Sequence, residues 1–186
     1  MLGYAFCGSF CTHGKSLKEL RGLISLGYEV QPIFSDTVWS TDTRFGRADT
    51  LRQEVETLCQ KKVIHTVVDA EPLGPKLALE ALILAPCTGN TLAKIANGIT
   101  DTAVCMAAKA HLRADRPLVI SLASNDALSA NLQNIATLLS RKCVYFVPME
   151  QDDPEQKPHS LVADFSLLQP TLQAAFAGKQ FRKIFL

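Results

Sequence analysis

The residues of this chain best suited to chemistry fall in one short run, Pro86-Cys87-Thr88-Gly89-Asn90-Thr91. An apolar stretch of strand length, Leu82 to Ala85, stops at Pro86, and an amphipathic helix opens after Asn90. Asn90 offers both a donor and an acceptor, the pair needed to read the carbonyl and N–H edges of a flat heterocycle. Thr88 and Thr91 add hydroxyls, and Gly89 lets a ligand approach the backbone closely. A helix start also leaves backbone N–H groups free for an anion or a carbonyl. The same residue types cap an ordinary helix, so composition alone leaves a ligand pocket and a well-capped helix both open.

A second candidate is the loop Gly8-Ser9-Phe10-Cys11-Thr12-His13-Gly14-Lys15-Ser16, which follows a strand and opens a helix. Five residues separate Gly8 from Gly14 where a nucleoside-triphosphate loop needs four, which would misplace the backbone cradle relative to Lys15. A phosphate pocket lined by Gly8, Ser9 and the following amides, without a catalytic Lys, fits better than that motif. A plain strand-to-helix turn remains the alternative. No Gly-x-Gly-x-x-Gly follows any strand, and no Gly-x-Ser-x-Gly elbow is present. Among the four histidines, His65, His111 and His159 read as structural or solvated, whereas His13 sits in the first loop. Cys7 and Cys11 lack a Cys-x-x-Cys or His-x-x-x-His partner, so no metal site is expected.

The elements that must hold these loops alternate between strand and helix. Strands are expected at Gly3–Cys7, Glu29–Ser35, Val63–Val68, Leu82–Ala85, Leu118–Leu122 and Val144–Val147. Ser16-Leu17-Lys18-Glu19 reads as a capping box for a first helix that ends at Gly27. Further helices are expected over Thr50–Lys61, from near Lys76, from Asn90 to Gly98, from a cap at Asp101 to His111, over Ser129–Arg141 and over Leu167–Ala177. Asp36 to Ala48 reads as a polar loop carrying the only Trp. Such alternation implies a doubly wound α/β fold with a parallel sheet of about six strands. Ligands in such sheets bind beyond the carboxyl ends of the strands, here Gly8-Ser9, Phe34-Ser35, Pro86 to Thr91 and Ala123-Ser124-Asn125.

The 186 residues, 47% apolar and 20% charged, are enough for one domain with a sizeable core. Residues 148–164 read as a surface loop with three prolines at its start and middle, and 165–186 as a C-terminal helix and tail. A net charge of +1 without a basic run argues against nucleic acid and anionic membranes. Apolar runs stay far below the ~20 residues that span a bilayer, and no signal peptide opens the chain, so a cytoplasmic protein is expected.

Pro86-Cys87-Thr88-Gly89-Asn90-Thr91, with Ala93-Lys94-Ile95-Ala96-Asn97-Gly98-Ile99-Thr100-Asp101 behind it, resembles the Pro-Ala-Ser-Ala-Asn-Thr and Lys-Ile-Ala-Asn-Gly-x-x-Asp signature of the flavin-binding cysteine decarboxylase family. That family includes phosphopantothenoylcysteine and lantibiotic-peptide decarboxylases and flavin prenyltransferases. The resemblance runs from about Gly3 to Val147 and implies a Rossmann-like three-layer sandwich with an FMN site. Two features depart from the decarboxylases. Their catalytic His upstream of the signature proline is missing from Glu71-Pro72-Leu73-Gly74-Pro75-Lys76, and their Pro-x-Met-Asn clamp is replaced by Ala123-Ser124-Asn125-Asp126. These replacements resemble a dipicolinate-forming branch of the same family. So do the tail segments Tyr145 to Pro148, Gln151 to Pro154 and Lys157 to Asp164.

The resemblance implies that Gly8, Ser9, Ser35 and Thr88 contact the phosphate and ribityl chain of FMN. It implies that Pro86, Asn90, Thr91, Ser124 and Asn125 surround the ring. Lys15 and Lys76 are candidates for the carboxylates of a small dicarboxylate substrate. The branch implies oxidation of dihydrodipicolinate to dipicolinate in the mother cell of a sporulating bacterium, with an A subunit carrying the NAD(P) site. It also implies homo-oligomers, as trimers or dodecamers with the flavin near a subunit interface. A decarboxylase or prenyltransferase, and a non-catalytic partner with a vestigial flavin pocket, are the competing expectations.

Overall fold

The computed structural model describes residues 1–73, 77–181 and 183–186. Five parallel strands form the centre: β1 (Leu2–Phe6), β2 (Val30–Phe34), β3 (Leu82–Cys87), β4 (Leu118–Ser124) and β5 (Val144–Phe146). Their spatial order is β2-β1-β3-β4-β5, with β4 pairing to β5 along Leu118–Ile120. Every residue of these strands is buried, as expected of a sheet covered on both faces.

Alternation along the strands divides the core in two. Leu2, Tyr4 and Phe6 face α1 (His13–Ser25), α3 (Ala48–Cys59) and α8 (Leu168–Phe176). Ala5, Cys7, Leu82 and Leu84 face α5 (Gly89–Ala96), α6 (Ala103–Leu112) and α7 (Leu132–Leu139). Helices thus cover both faces of a mostly parallel sheet, the expected three-layer arrangement. Each fully buried Phe or Leu contributes on the order of 1.5–3 kcal/mol. Tyr4 can share that burial because its hydroxyl donates to the Ser16 carbonyl at 3.0 Å.

Several local expectations are corrected. Val63–Val68 is not a strand: only Ile64 bridges to Ile33, and α4 (Val67–Ala70) follows. The Thr66 hydroxyl starts that helix by accepting from the Asp69 N–H at 3.1 Å. The expected loop after Ser35 contains α2 (Asp36–Ser40), with Ser35 as its N-cap. Ser16 is no cap either. The first helix begins at His13, and the buried Ser16 hydroxyl donates to the Ala85 carbonyl at 2.5 Å. The cap of α6 is Thr102 rather than Asp101, which instead pairs with Lys94 at 2.8 Å. Residues 77–81 hold no helix, and Lys76 lies outside the described residues.

The expected surface loop at 148–164 carries two short strands, β6 (Met149–Glu150) and β7 (Leu161–Ala163). They pair antiparallel to each other, and β7 pairs with Ala123 and Ser124 at the end of β4. Alternating apolar residues Leu161 and Ala163 bury there, which draws the segment onto the sheet. The intervening residues 151–160 are mostly exposed and hang beside the carboxyl end of β4.

Between β3 and β4 the register shifts: Leu84 lies opposite Ile120, whereas Cys87 lies opposite Leu122. The extra residue falls at the Ala85–Pro86 peptide, which is cis. Pro86 has no N–H for the ladder, so a bulge is where a buried strand can hold it.

Candidate functional site

The strand ends open into two adjoining cavities. One, of about 450 Å³, is lined by Gly8, Ser9, Thr12, Thr88, Ser124 and Asn125 among others. The second, of about 380 Å³, is walled by Phe10, Leu17, Val38, Phe45 and Leu51, with His13, Arg47, Glu54, Thr41, Thr43 and Thr50 as polar members. Phe10, Cys11 and Phe45 line both, so one wall serves a hydroxyl-rich chamber and an apolar one. Both volumes fall within the range of small-molecule pockets, ~300–1,000 Å³.

The structure brings together five of the nine residues expected at a cofactor: Gly8, Ser9, Thr88, Ser124 and Asn125 line the hydroxyl-rich chamber. The other four line neither chamber. Ser35 is buried and accepts from the Val38 N–H at 3.4 Å. Pro86 is buried in β3, its carbonyl accepting from the Cys7 N–H at 3.1 Å. Asn90 is exposed, because Thr88 caps α5 and Gly89 presents the side of that turn facing the chamber. Thr91 is buried, and its hydroxyl accepts from Thr88 Oγ1 at 3.2 Å. Lys15 does not line the chamber: it lies with Lys18, Glu19 and Asp164 in a neighbouring polar cleft that shares Asp152 and Val162 with it.

Gly89 is held in a tight place. A Cβ there would stand 2.5 Å from Asn131 Nδ2, 2.5 Å from Ser124 Oγ and 2.8 Å from Asp126 Oδ1. Those three side chains form one cluster, in which Ser124 and Asn131 both donate to Asp126 Oδ1. The Ser124 hydrogen bond, with that of Asn131, holds the Asp126 carboxyl below its ordinary value. Beneath the chamber lie Cys7 and Cys87, whose thiols burial pushes up, Cys7 to about 12. Neither ionises near neutrality, so neither supplies a thiolate nucleophile.

Three lining residues escaped the sequence reading. Phe10 and Phe45 form the shared wall, although Phe45 stands in a stretch read as polar loop. Lys157, from the segment between β6 and β7, lines the hydroxyl-rich chamber and pairs with Asp152 at 2.9 Å. Only the proline and charge pattern of that segment singled it out. Among the described residues no group of three His, Cys, Asp or Glu converges as a metal site, and no helix is long and apolar enough to cross a membrane.

Residues 3–164 match the flavoprotein family over most of the chain. The chain belongs to the flavoprotein family. One curated member, the B subunit of dipicolinate synthase from Bacillus subtilis (strain 168), is 42% identical over 98% of this chain and 92% of its own length. A crystal structure of the corresponding dipicolinate synthase B subunit from Bacillus halodurans C superposes with a TM-score of 0.91 at 39% identity, covering 100% of this chain and 95% of that one. A third flavoprotein-like structure, the FMN-dependent cysteine decarboxylase SpaF, gives a TM-score of 0.66 at 20% identity over 95% and 94% of the two chains. At that identity it speaks to the fold alone. The family assignment agrees with the expected three-layer architecture and covers the chambers described above.

Proposed function

We propose that this flavoprotein-family chain binds a flavin of the FMN type across its two joined chambers and serves as the B subunit of a dipicolinate synthase. The observation that carries the cofactor reading is the chemical division of the cleft. An amphipathic ligand with a flat apolar ring and a polyol tail matches an aromatic-walled chamber continuous with a hydroxyl-lined one. The residues present fit that ligand: Phe10, Val38, Phe45 and Leu51 would enclose the ring, while Ser9, Thr88 and Ser124 would meet the tail. At Gly8 an added Cβ would lie 3.3 Å from Thr37 Cγ2, a tight contact that Thr37 would have to yield to.

A bound flavin supplies an acceptor for the two electrons that leave a dihydropyridine when it becomes aromatic. The chain itself would bind and orient. Phe10 and Phe45 would exclude water from the ring, and Lys157, rather than Lys15, is placed to meet a carboxylate entering the hydroxyl-rich chamber. Its existing partner Asp152 is partly exposed, so exchanging that partner for a substrate carboxylate costs little. The NAD(P) site belongs, in this reading, to an A-subunit partner, and the chain works as a homo-oligomer in the cytoplasm of a sporulating cell. Support for the branch comes from the 42% identity over nearly the whole chain.

The deciding experiment has two arms. Titration with FMN, followed by absorbance and fluorescence, is expected to show saturable one-to-one binding; a chain that leaves FMN free in solution refutes the cofactor. Dipicolinate formation from dihydrodipicolinate is then assayed with this chain, an A subunit, and both together, with and without FMN. Full activity of the A subunit alone would leave this chain a non-catalytic partner.

A further inference from the structure

The apolar chamber contains one imidazole, and its geometry is fixed from several sides. His13 opens α1 and is only 8% exposed. Phe6 meets its ring edge-on, with centroids 5.6 Å apart and planes at 85°, and Phe10 lies against it at 5.2 Å. His13 Nε2 stands 2.8 Å from the carbonyl oxygen of Cys7. A carbonyl can only accept, so Nε2 carries the proton and Nδ1 of the neutral ring keeps its lone pair. Burial moves the imidazole below its ordinary value of 6.5, which favours that neutral form at pH 7.

Among the described residues nothing donates to Nδ1; the hydrogen bond recorded for the ring is the one through Nε2. The chamber around it is walled by Phe10, Leu17, Val38, Phe45 and Leu51, with Thr41, Thr43, Arg47, Thr50 and Glu54 as its other polar members. An acceptor in such surroundings rewards a ligand that brings it an N–H and penalises one that does not.

We propose that His13 is a specificity-determining residue of the apolar chamber, accepting through Nδ1 a hydrogen bond from the ring N–H of a flat, imide-bearing heterocycle. The proposal rests on the flavin reading above and adds the edge by which the ring is recognised. The flavin ring carries one such group, the imide N3–H between two carbonyls. Replacing that hydrogen by a methyl removes the donor and leaves the rest of the ring intact.

The test uses the full chain with FMN and N3-methyl-FMN, each titrated by quenching of flavin fluorescence. Wild type is expected to bind FMN roughly 10- to 100-fold more tightly than the methylated analogue, the range that one buried hydrogen bond supplies. His13→Asn, which can place an oxygen near the Nδ1 position, is expected to keep much of that preference. His13→Leu is expected to bring the ratio close to one. Equal binding of the two flavins by wild type, or an undiminished preference in His13→Leu, overturns the role of His13 and leaves the cofactor reading standing. Should His13→Leu fail to fold, His13→Phe, which keeps a ring against Phe6 and Phe10 but carries no acceptor, takes its place: a ratio close to one is expected, and an undiminished preference overturns the role of His13. Failure of wild type to bind either flavin overturns the cofactor reading, and this inference with it.

Discussion

The hydroxyl of Ser16, a full turn inside α1, donates to the carbonyl of Ala85 in β3 at 2.5 Å, tying the first helix to the strand that carries the signature turn. Tyr4 joins the same group from β1, its hydroxyl lying 3.0 Å from Ser16 Oγ. Ser16→Ala leaves the buried Ala85 carbonyl without this donor, and is expected to cost about 1–3 kcal/mol. Tyr4→Phe leaves the Ser16–Ala85 bond in place and is expected to cost less. Urea denaturation of both variants checks the order; a larger loss in Tyr4→Phe contradicts it.

Gly89 predicts a packing defect at the mouth of the site. An added methyl there meets Ser124, Asn131 and Asp126 at 2.5–2.8 Å. Gly89→Ala is therefore expected to destabilise by about 1–3 kcal/mol, although alanine is the better helix former. Adding Ser124→Ala removes one of the three crowding atoms. The double variant should then lose less than the sum of the two single losses. Strict additivity in thermal or urea unfolding would mean that the turn relaxes away from Ser124 altogether.

His111 makes stability depend on acid. Its ring is fully buried, and burial pushes its pKa from 6.5 down to about 4, while Nε2 stays 2.7 Å from the Pro117 carbonyl. The unfolded chain therefore takes up a proton below pH 6.5 that the folded chain refuses until near pH 4. Stability is expected to fall with decreasing pH across that window, by up to about 1.4 kcal/mol per unit from this residue. His13, also lowered by burial, acts in the same direction. His111→Gln keeps a donor for the Pro117 carbonyl and cannot titrate. Unfolding at pH 5 and pH 7 should differ less in that variant than in wild type, and an identical difference would rule His111 out as a source.

The start of α6 separates a cap from an ion pair. Thr102 accepts from the Cys105 N–H at 3.2 Å, so Thr102→Ala is expected to cost about 1 kcal/mol. Asp101, which pairs with Lys94 in solvent, is expected to matter less, and its effect should fade as salt rises. Denaturation midpoints at low and high salt distinguish the two.

The architecture was legible because buried strands and amphipathic helices carry their periods in the sequence. Where the reading failed, a side chain served something distant in the chain. The Ser16–Glu19 spacing fits a capping box, yet the partner of Ser16 is Ala85, 69 positions away. Val63–Val68 has the composition of a strand, but Thr66 starts a helix there. At the site, the strand ends pointed to Gly8, Ser9, Thr88, Ser124 and Asn125 directly. Phe45 and Lys157 remained hidden because their roles depend on how the 41–47 turn and the 151–160 segment fold back over the sheet. Asn90 lies off the chamber for a simpler reason: a one-residue offset at a helix start moves a side chain by about 100° around the axis.

The wall shared by the two chambers separates ligand exchange from fold stability. Phe45 is 55% exposed and sits on a turn closed by the Thr43 and Gly46 backbone pair, whereas Phe10, the other aromatic of that wall, is packed against His13. Phe45→Ala should accordingly speed the dissociation of a bound flavin in stopped-flow displacement while leaving the unfolding midpoint within experimental scatter; a large drop in midpoint would show the turn to be part of the core. Residence time of the ligand can thus drift through changes in one exposed turn, while the sheet that positions the rest of the cleft stays untouched.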